Sequence, residues 1–282
     1  MTQPMTTQVP TQTIAKSGFP EVGPPSLVDT LRSEWTKLKT LRSTVITLAI
    51  AGVIVIGLSA LGSFLIAANE SSELKHGSLP SPLDTIQGGW GIGMLAFMVL
   101  GVMAISNEYS STLIGVTLLA TPKRSRVLLA KVIVFSVTMF VISEVMSFIN
   151  FFVGHAIISA YPAYPNVSLT THLVLRVVIG MGIYVTLVGL LGLGAGALLR
   201  HTAGAIVACV AFLFILPGIL SALPNSWSNP IGEYWPTEAG RRLIVLDHGP
   251  NTLSAWVGTA DLALFIVVLL LIAGYALAKR DA

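Results

Sequence analysis

Six apolar stretches, each long enough to cross a bilayer, constrain this chain more than any other feature. A helix needs about 20 apolar residues to span the roughly 30 Å hydrocarbon core. Val45–Ala68, Ile86–Ser106, Val127–Val153, Leu173–Leu199, Ala203–Leu223 and Ala255–Ala278 all qualify. The fourth and fifth are parted only by Arg200, His201 and Thr202. Their joint length is far too great for one crossing, so the pattern predicts a tight hairpin. No stretch alternates apolar and polar residues over about ten positions, which excludes a transmembrane β-barrel. Composition agrees: 54% of residues are hydrophobic and 10% charged, against about 25% charged in an ordinary soluble domain. With a mean hydropathy of +0.81, the apolar excess must face lipid. The expected fold class is an all-α integral membrane protein with six transmembrane helices.

Basic residues beside the spans set the orientation. One side carries Lys16, Arg32, Lys37, Lys39, Arg42, Lys123, Arg124, Arg126, Lys131, Arg200, Lys279 and Arg280. The other carries only Lys75, Arg176, Arg241 and Arg242. Twelve against four places both termini in the cytoplasm. The loop from Asn69 to Thr85, with Glu70, Glu73 and Asp84 against Lys75, suits an external position. The first 25 residues, rich in Thr, Gln and Pro, read as a disordered cytoplasmic tail before a membrane domain over 26–282. They hold no apolar core of a signal peptide.

Three elements outside the spans carry further information. Val28, Leu31, Trp35 and Leu38 share one helical face, while Asp29, Arg32, Glu34, Lys37 and Lys39 take the other. Ser26 and Asp29 have the spacing of a capping box. An amphipathic helix with a Trp and basic residues, leading into span one, is expected to lie in the cytoplasmic interface through Trp35 and Leu38. Between spans two and three, Thr112–Leu119 is apolar but too short to cross, and Pro122 stops it. A small cytoplasmic helix is expected there, with an apolar side that nothing in the chain obviously covers. Pro224–Ser254, with its prolines, Trp227, Tyr234 and Trp235, predicts short helices dipping into the outer leaflet, with Glu238 and Arg242 as an i,i+4 pair.

Chemistry is sparse. Glu144 lies about 13 residues past Lys131, roughly 20 Å into the membrane. A carboxylate there costs about 2.5–3.5 kcal/mol and should face protein or water. Ser143, Ser147 and Asn150 extend a polar stripe along its side. Glu144, Ser147 and Asn150 are therefore candidates for lining a substrate route, or for joining helices by hydrogen bonds. Gly89–Gly93 and Gly192–Gly196 are GxxxG pairs that suit close helix contacts. The single cysteine, Cys209, permits no intrachain disulfide, and five scattered histidines match no metal-ligand spacing. The net charge of +3 is too small and scattered to argue for nucleic acid. A phosphate-binding loop is absent. No catalytic role or cofactor is expected on this chain, and energy must come from a gradient or another chain.

The order of elements resembles a known family. Arg32–Ser43 (RSEWTKLKTLRS) precedes span one, Glu108 opens the segment after span two, and Thr117–Lys131 (TLLATPKRSRVLLAK) leads into span three. With the long segment between spans five and six, residues 27–282 resemble the type-2 permease subunits of bacterial ATP-binding-cassette (ABC) exporters. The resemblance implies a cell-membrane protein paired with a second permease, identical or homologous, above two ABC ATPase subunits that hold ATP and Mg. It also implies that Asn107–Arg126 holds a coupling helix seated on the ATPase, with Glu108, Leu113, Ile114, Leu118 and Arg124 as its contact residues. The cargo would be hydrophobic or amphipathic: a drug, antibiotic, peptide or lipid. Two other readings stand beside it, a gradient-driven carrier and a membrane anchor for another assembly. The long tail departs from the family pattern.

Overall fold

The computed structural model describes residues 26–40, 42–69, 81–110, 124–162, 164, 167–246 and 253–279. Among the described residues ten helices follow in order: α1 Leu27–Thr40, α2 Arg42–Ala68, α3 Pro82–Ile86, α4 Trp90–Ser110 and α5 Arg124–Ile158, then α6 His172–Leu199, α7 Thr202–Ser221, α8 Asn225–Glu233, α9 Pro236–Arg241 and α10 Ala255–Lys279. No strand occurs among the described residues. Helices α2, α4, α5, α6, α7 and α10 are long and apolar enough to cross a membrane, one for each stretch read from the sequence. The expected tail, 1–25, and the expected coupling residues Leu113, Ile114 and Leu118 lie outside the described residues, as does the side chain of Arg124.

Helix α6 is the central post. It is 67% buried over its most apolar window, against 17–50% for the other five. Its small residues explain why. A Cβ at Gly192 would strike the Met98 carbonyl oxygen of α4, and one at Gly101 of α4 would strike that of Gly189. Gly196 lies against Val102 in the same way. Backbones this close leave no room for side chains, the usual device for joining helices in lipid. The other glycine pair works between α2 and α4: Gly89 sits on the Val55 carbonyl and donates its N–H to Ser59 Oγ at 3.0 Å, and Gly93 meets the Val55 side chain.

The hairpin between spans four and five turns on Arg200, in the left-handed conformation at φ 55°. Its N–H closes α6 on the Gly196 carbonyl at 3.0 Å, and His201 Nδ1 caps α7 by accepting from Gly204 N–H at 3.1 Å. A non-glycine residue there is strained by about 1–2 kcal/mol. The Arg200 guanidinium, 5.1 Å above the Tyr109 ring, offsets part of that strain. Within α7, residues Ala211–Ile215 widen into a π turn just before Pro217. Proline has no N–H to donate and its ring crowds the preceding turn, so the helix loosens there.

The segment between spans five and six folds back into the bundle. Tyr184 Oη donates to the Thr237 carbonyl at 3.3 Å, and Trp235 Nε1 donates to the Phe212 carbonyl at 3.2 Å. Tyr184 lies twelve residues along α6, about 18 Å from its start. Leu243, fully buried, fills the space above Gly180, and Gly258 of α10 abuts the Ala239 carbonyl. Short helices dipping inward were expected, but the expected ion pair is corrected: Glu238 meets Arg241, at 3.4 Å, not Arg242. The helix ends at Arg241 and tightens into a 3-10 turn over Arg242–Ile244, which carries Arg242 off that face.

Candidate functional site

At the end of the bundle that carries α1, four charged side chains from three elements meet. Lys131 of α5 reaches Glu34 Oε2 of α1 at 2.6 Å and Glu108 Oε1 of α4 at 2.9 Å. Lys37 of α1 reaches Glu34 Oε1 at 2.7 Å and the same Glu108 oxygen at 2.8 Å. Glu34, Glu108 and Lys131 are 3%, 8% and 6% exposed, so this is a buried network rather than a surface decoration. Burial alone pulls the Lys37 ammonium down, but its hydrogen bonds to Glu108 and Glu34 outweigh this and hold its pKa above the ordinary lysine value.

The network turns a polar stripe of α1 inward. Glu34 and Lys37 were read on the helical face opposite Val28 and Trp35; Thr30 and Glu34 are the buried residues of this helix, whereas Val28 and Trp35 are 61% and 50% exposed. The polar stripe at spacings of four and three, Thr30–Glu34–Lys37, seals against the bundle, while Val28 and Trp35 face away from it. The reason is pairing: a carboxylate is buried where two ammonium groups neutralise it. The sequence held a signal for this, since Glu34, Glu108 and Lys131 each stand within a few turns of a span end with opposite charges. The start of α1 follows the capping-box expectation. Ser26 N–H and Oγ donate to Asp29 Oδ2 at 3.0 and 2.6 Å, and Asp29 N–H returns to Ser26 Oγ at 3.2 Å. Those bonds from Ser26 hold the Asp29 carboxyl below the usual aspartate range.

Above the network lies a cavity of about 480 Å³ between α1, α2, α4 and α5. Its floor is Glu34, Lys37, Glu108 and Lys131, with Asn107 beside them; Thr44 and Thr47 of α2 line one flank. Its upper walls are apolar: Leu100, Met103 and Ala104 of α4 face Val134, Phe135 and Met139 of α5. Leu100 and Met139 each stand eight residues from the charged floor, so the cavity reaches about 12 Å into the bundle. Leu38, one of the two expected interfacial residues, lines it; Trp35, the other, does not.

Glu144, Ser147 and Asn150 do not line this cavity. Ser147 Oγ donates to the Val178 carbonyl at 2.8 Å, Asn150 Nδ2 to that of Ile86 at 2.7 Å, and Ser143 Oγ to that of Gly182 at 3.1 Å. This stripe joins α5 to α6 and to α3. Glu144 differs from it. Its carboxyl lies over Gly182, where a Cβ would collide with it, and both its oxygens are buried without a hydrogen-bond partner. Arg176, at the opposite end of the bundle from α1, donates to the Val245 carbonyl at 2.7 Å.

Compared with models of known families and with curated proteins, the chain matches none of them.

Proposed function

We propose that this chain is the membrane-spanning permease subunit of an ABC exporter, oriented with α1 and both termini in the cytoplasm, and driven by ATP hydrolysis on separate subunits. The observation that carries this reading is the ion network. Glu108 and Lys131 flank the segment 111–123 on its two sides, and both are held to α1 by the same buried charges. A force applied to that segment by an ATPase would reach α1, α4 and α5 together. Those are the elements that wall the cavity. The cargo reading follows from the walls: apolar side chains above a charged floor suit an amphipathic molecule entering from the inner leaflet. In this account α1 lies along the cytoplasmic interface with Val28 and Trp35 toward lipid, and α8 and α9 occupy the outer leaflet.

The test is the segment itself. Leu113→Asp or Leu118→Asp should release the ATPase or uncouple its hydrolysis from transport, while Lys123→Ala should be mild, because a charge in an apolar contact harms more than one removed from its rim. Co-purification of the ATPase and cargo-stimulated hydrolysis measure both. Variants that insert normally and keep both properties would remove the exporter reading.

One observation favours a second reading. A buried carboxyl with no partner, Glu144, is what a proton-coupled carrier would need. Reconstituted without any ATPase, such a carrier would move cargo under an imposed pH gradient, and Glu144→Gln would stop it. An exporter permease alone would move nothing under the same gradient.

A further inference from the structure

Helix α1 pairs its inward charges and leaves its outward ones free. Opposite the Thr30–Glu34–Lys37 stripe run Val28, Arg32, Trp35 and Lys39, all exposed. Spacings of four, three and four keep these residues within about 60° of arc. Arg32 and Lys39 therefore share a stripe with Val28 and Trp35 rather than standing across the helix from them. Among the described residues neither cation is in an ion pair. Arg42, exposed in the first turn of α2, fixes the depth of the stripe. Val45 and Ile46, three and four residues further on, share its face of α2 and are each 57% exposed. On a span this is the lipid-facing side, and a cation at its end marks the head-group level. Only Leu41 separates Arg42 from α1. Three exposed cations thus stand against one exposed carboxylate, Asp29, which Ser26 already binds.

We propose that this outward stripe binds anionic phospholipid, with Arg32, Lys39 and Arg42 on the phosphates and with Val28 and Trp35 seated at the glycerol level. Charge selects the lipid class. The buried network holds two ammonium groups and two carboxylates, which cancel, so the outward face is left net positive. A phosphatidylcholine phosphate is neutralised within its own head group, whereas the phosphate of phosphatidylglycerol is not. Each basic side chain near an anionic surface strengthens the attraction about fivefold. Shape suits the same level: Arg and Lys lay their stems along apolar surface and raise their charged ends to phosphate, and a Trp ring belongs where apolar and polar layers meet. The inference rests on the reading that α1 lies along the membrane surface, and it does not depend on ATP-driven export.

The experiment uses the full chain alone, in phosphatidylcholine nanodiscs with a trace of photoreactive phosphatidylglycerol or, separately, of photoreactive phosphatidylcholine. Each probe carries a diazirine beside its glycerol, and labelled peptides are mapped by mass spectrometry. Phosphatidylglycerol should label residues 27–46 about fivefold more than phosphatidylcholine, as one cation meeting one free phosphate implies. The double variant Arg32→Gln with Lys39→Gln keeps side-chain length and removes two exposed charges, so the two probes should then label this segment equally. Salt gives a second readout in the parent. At about 1 M the screening length falls to about 3 Å, and the preference should shrink toward equality. Equal labelling by the two probes in the parent, or a preference that survives in the double variant, overturns the proposal while leaving α1 at the surface. No label in 27–46 from either probe would remove that placement as well. An ATPase that fails to co-purify would remove the exporter reading and leave this lipid result standing.

Discussion

Lys131 is a residue on which the α1 end depends heavily, because it is buried and pairs at once with Glu34 of α1 and Glu108 of α4. Removing one member of a buried ion pair strands its partners, and such losses run to about 3–5 kcal/mol. Lys131→Met should therefore lower the thermal midpoint sharply in detergent, leaving two carboxylates to share Lys37. The exchanged pair Glu34→Lys with Lys131→Glu keeps one charge of each sign and should recover part of the loss. No recovery would mean that shape, rather than charge, fixes the network. Asp29 gives a milder test at the same scale. Its folded pKa is depressed by the bonds from Ser26, so its contribution is present above the ordinary aspartate range and is lost as pH falls through the lowered value. Protection of the first-turn amides of α1, taken relative to their intrinsic exchange at each pH, should fall on acidification in the parent, whereas in Asp29→Ala it should be low throughout. Glu34 was hard to read from sequence for a physical reason. On a helical wheel it stands between Thr30 and Leu38, about 140° from Asp29 and at the border of the apolar face, and only the distant Lys131 makes its burial tolerable.

Among the elements, α6 shows what periodicity reveals and what it hides. Its length and its run of glycines were plain in the sequence, and both GxxxG pairs lie at helix contacts. The partner of each pair was not legible. Gly101, which belongs to no such motif, makes the closest approach of all to α6. A glycine contact depends on the opposing backbone, which lies far away in the chain. Space around each glycine separates two classes of substitution. Gly101→Ala or Gly192→Ala drives a methyl group into a facing carbonyl and should destabilise by about 1–3 kcal/mol. Gly57→Ala and Gly62→Ala in α2 meet open space, and should be neutral or stabilising by up to about 1 kcal/mol through helix propensity. Thermal unfolding of the four variants tests this, and equal effects in both classes would mean that α4 and α6 can part at little expense. Short helices after span five were expected from the prolines and from Trp227, Tyr234 and Trp235, and α8 and α9 form there, whereas the ion pair was misplaced by one residue because the 3-10 turn after Arg241 could not be read from spacing.

Across the whole molecule, contacts sort the basic residues into two ends without reference to a membrane. Lys37 and Lys131 share Glu108, and the neighbour of Glu108, Tyr109, lies beneath Arg200. These three cations therefore stand at one end of the bundle. Arg176 bonds to the Val245 carbonyl beside the turn that holds Arg242, which places those two at the other end. Six crossings bring α2 and α10 to the same side at their outermost ends, so Lys279 belongs with the first group. For these six residues the geometry agrees with the division that the basic-residue count made; the cytoplasmic side of the α1 end belongs to the proposal above, on the excess of Lys and Arg. Sidedness is open to direct measurement. In a Cys209→Ala background, single cysteines at Lys75 and Arg242 should react with an impermeant maleimide on intact cells, while those at Arg124 and Arg200 should react only after the membrane is opened. Labelling of position 200 from outside would invert the molecule. The cavity would then open to the exterior with its charged floor outermost, and segment 111–123 could not meet a cytoplasmic ATPase. Because position 200 belongs to a tight hairpin whose two helices both cross, it is the most discriminating of the four sites.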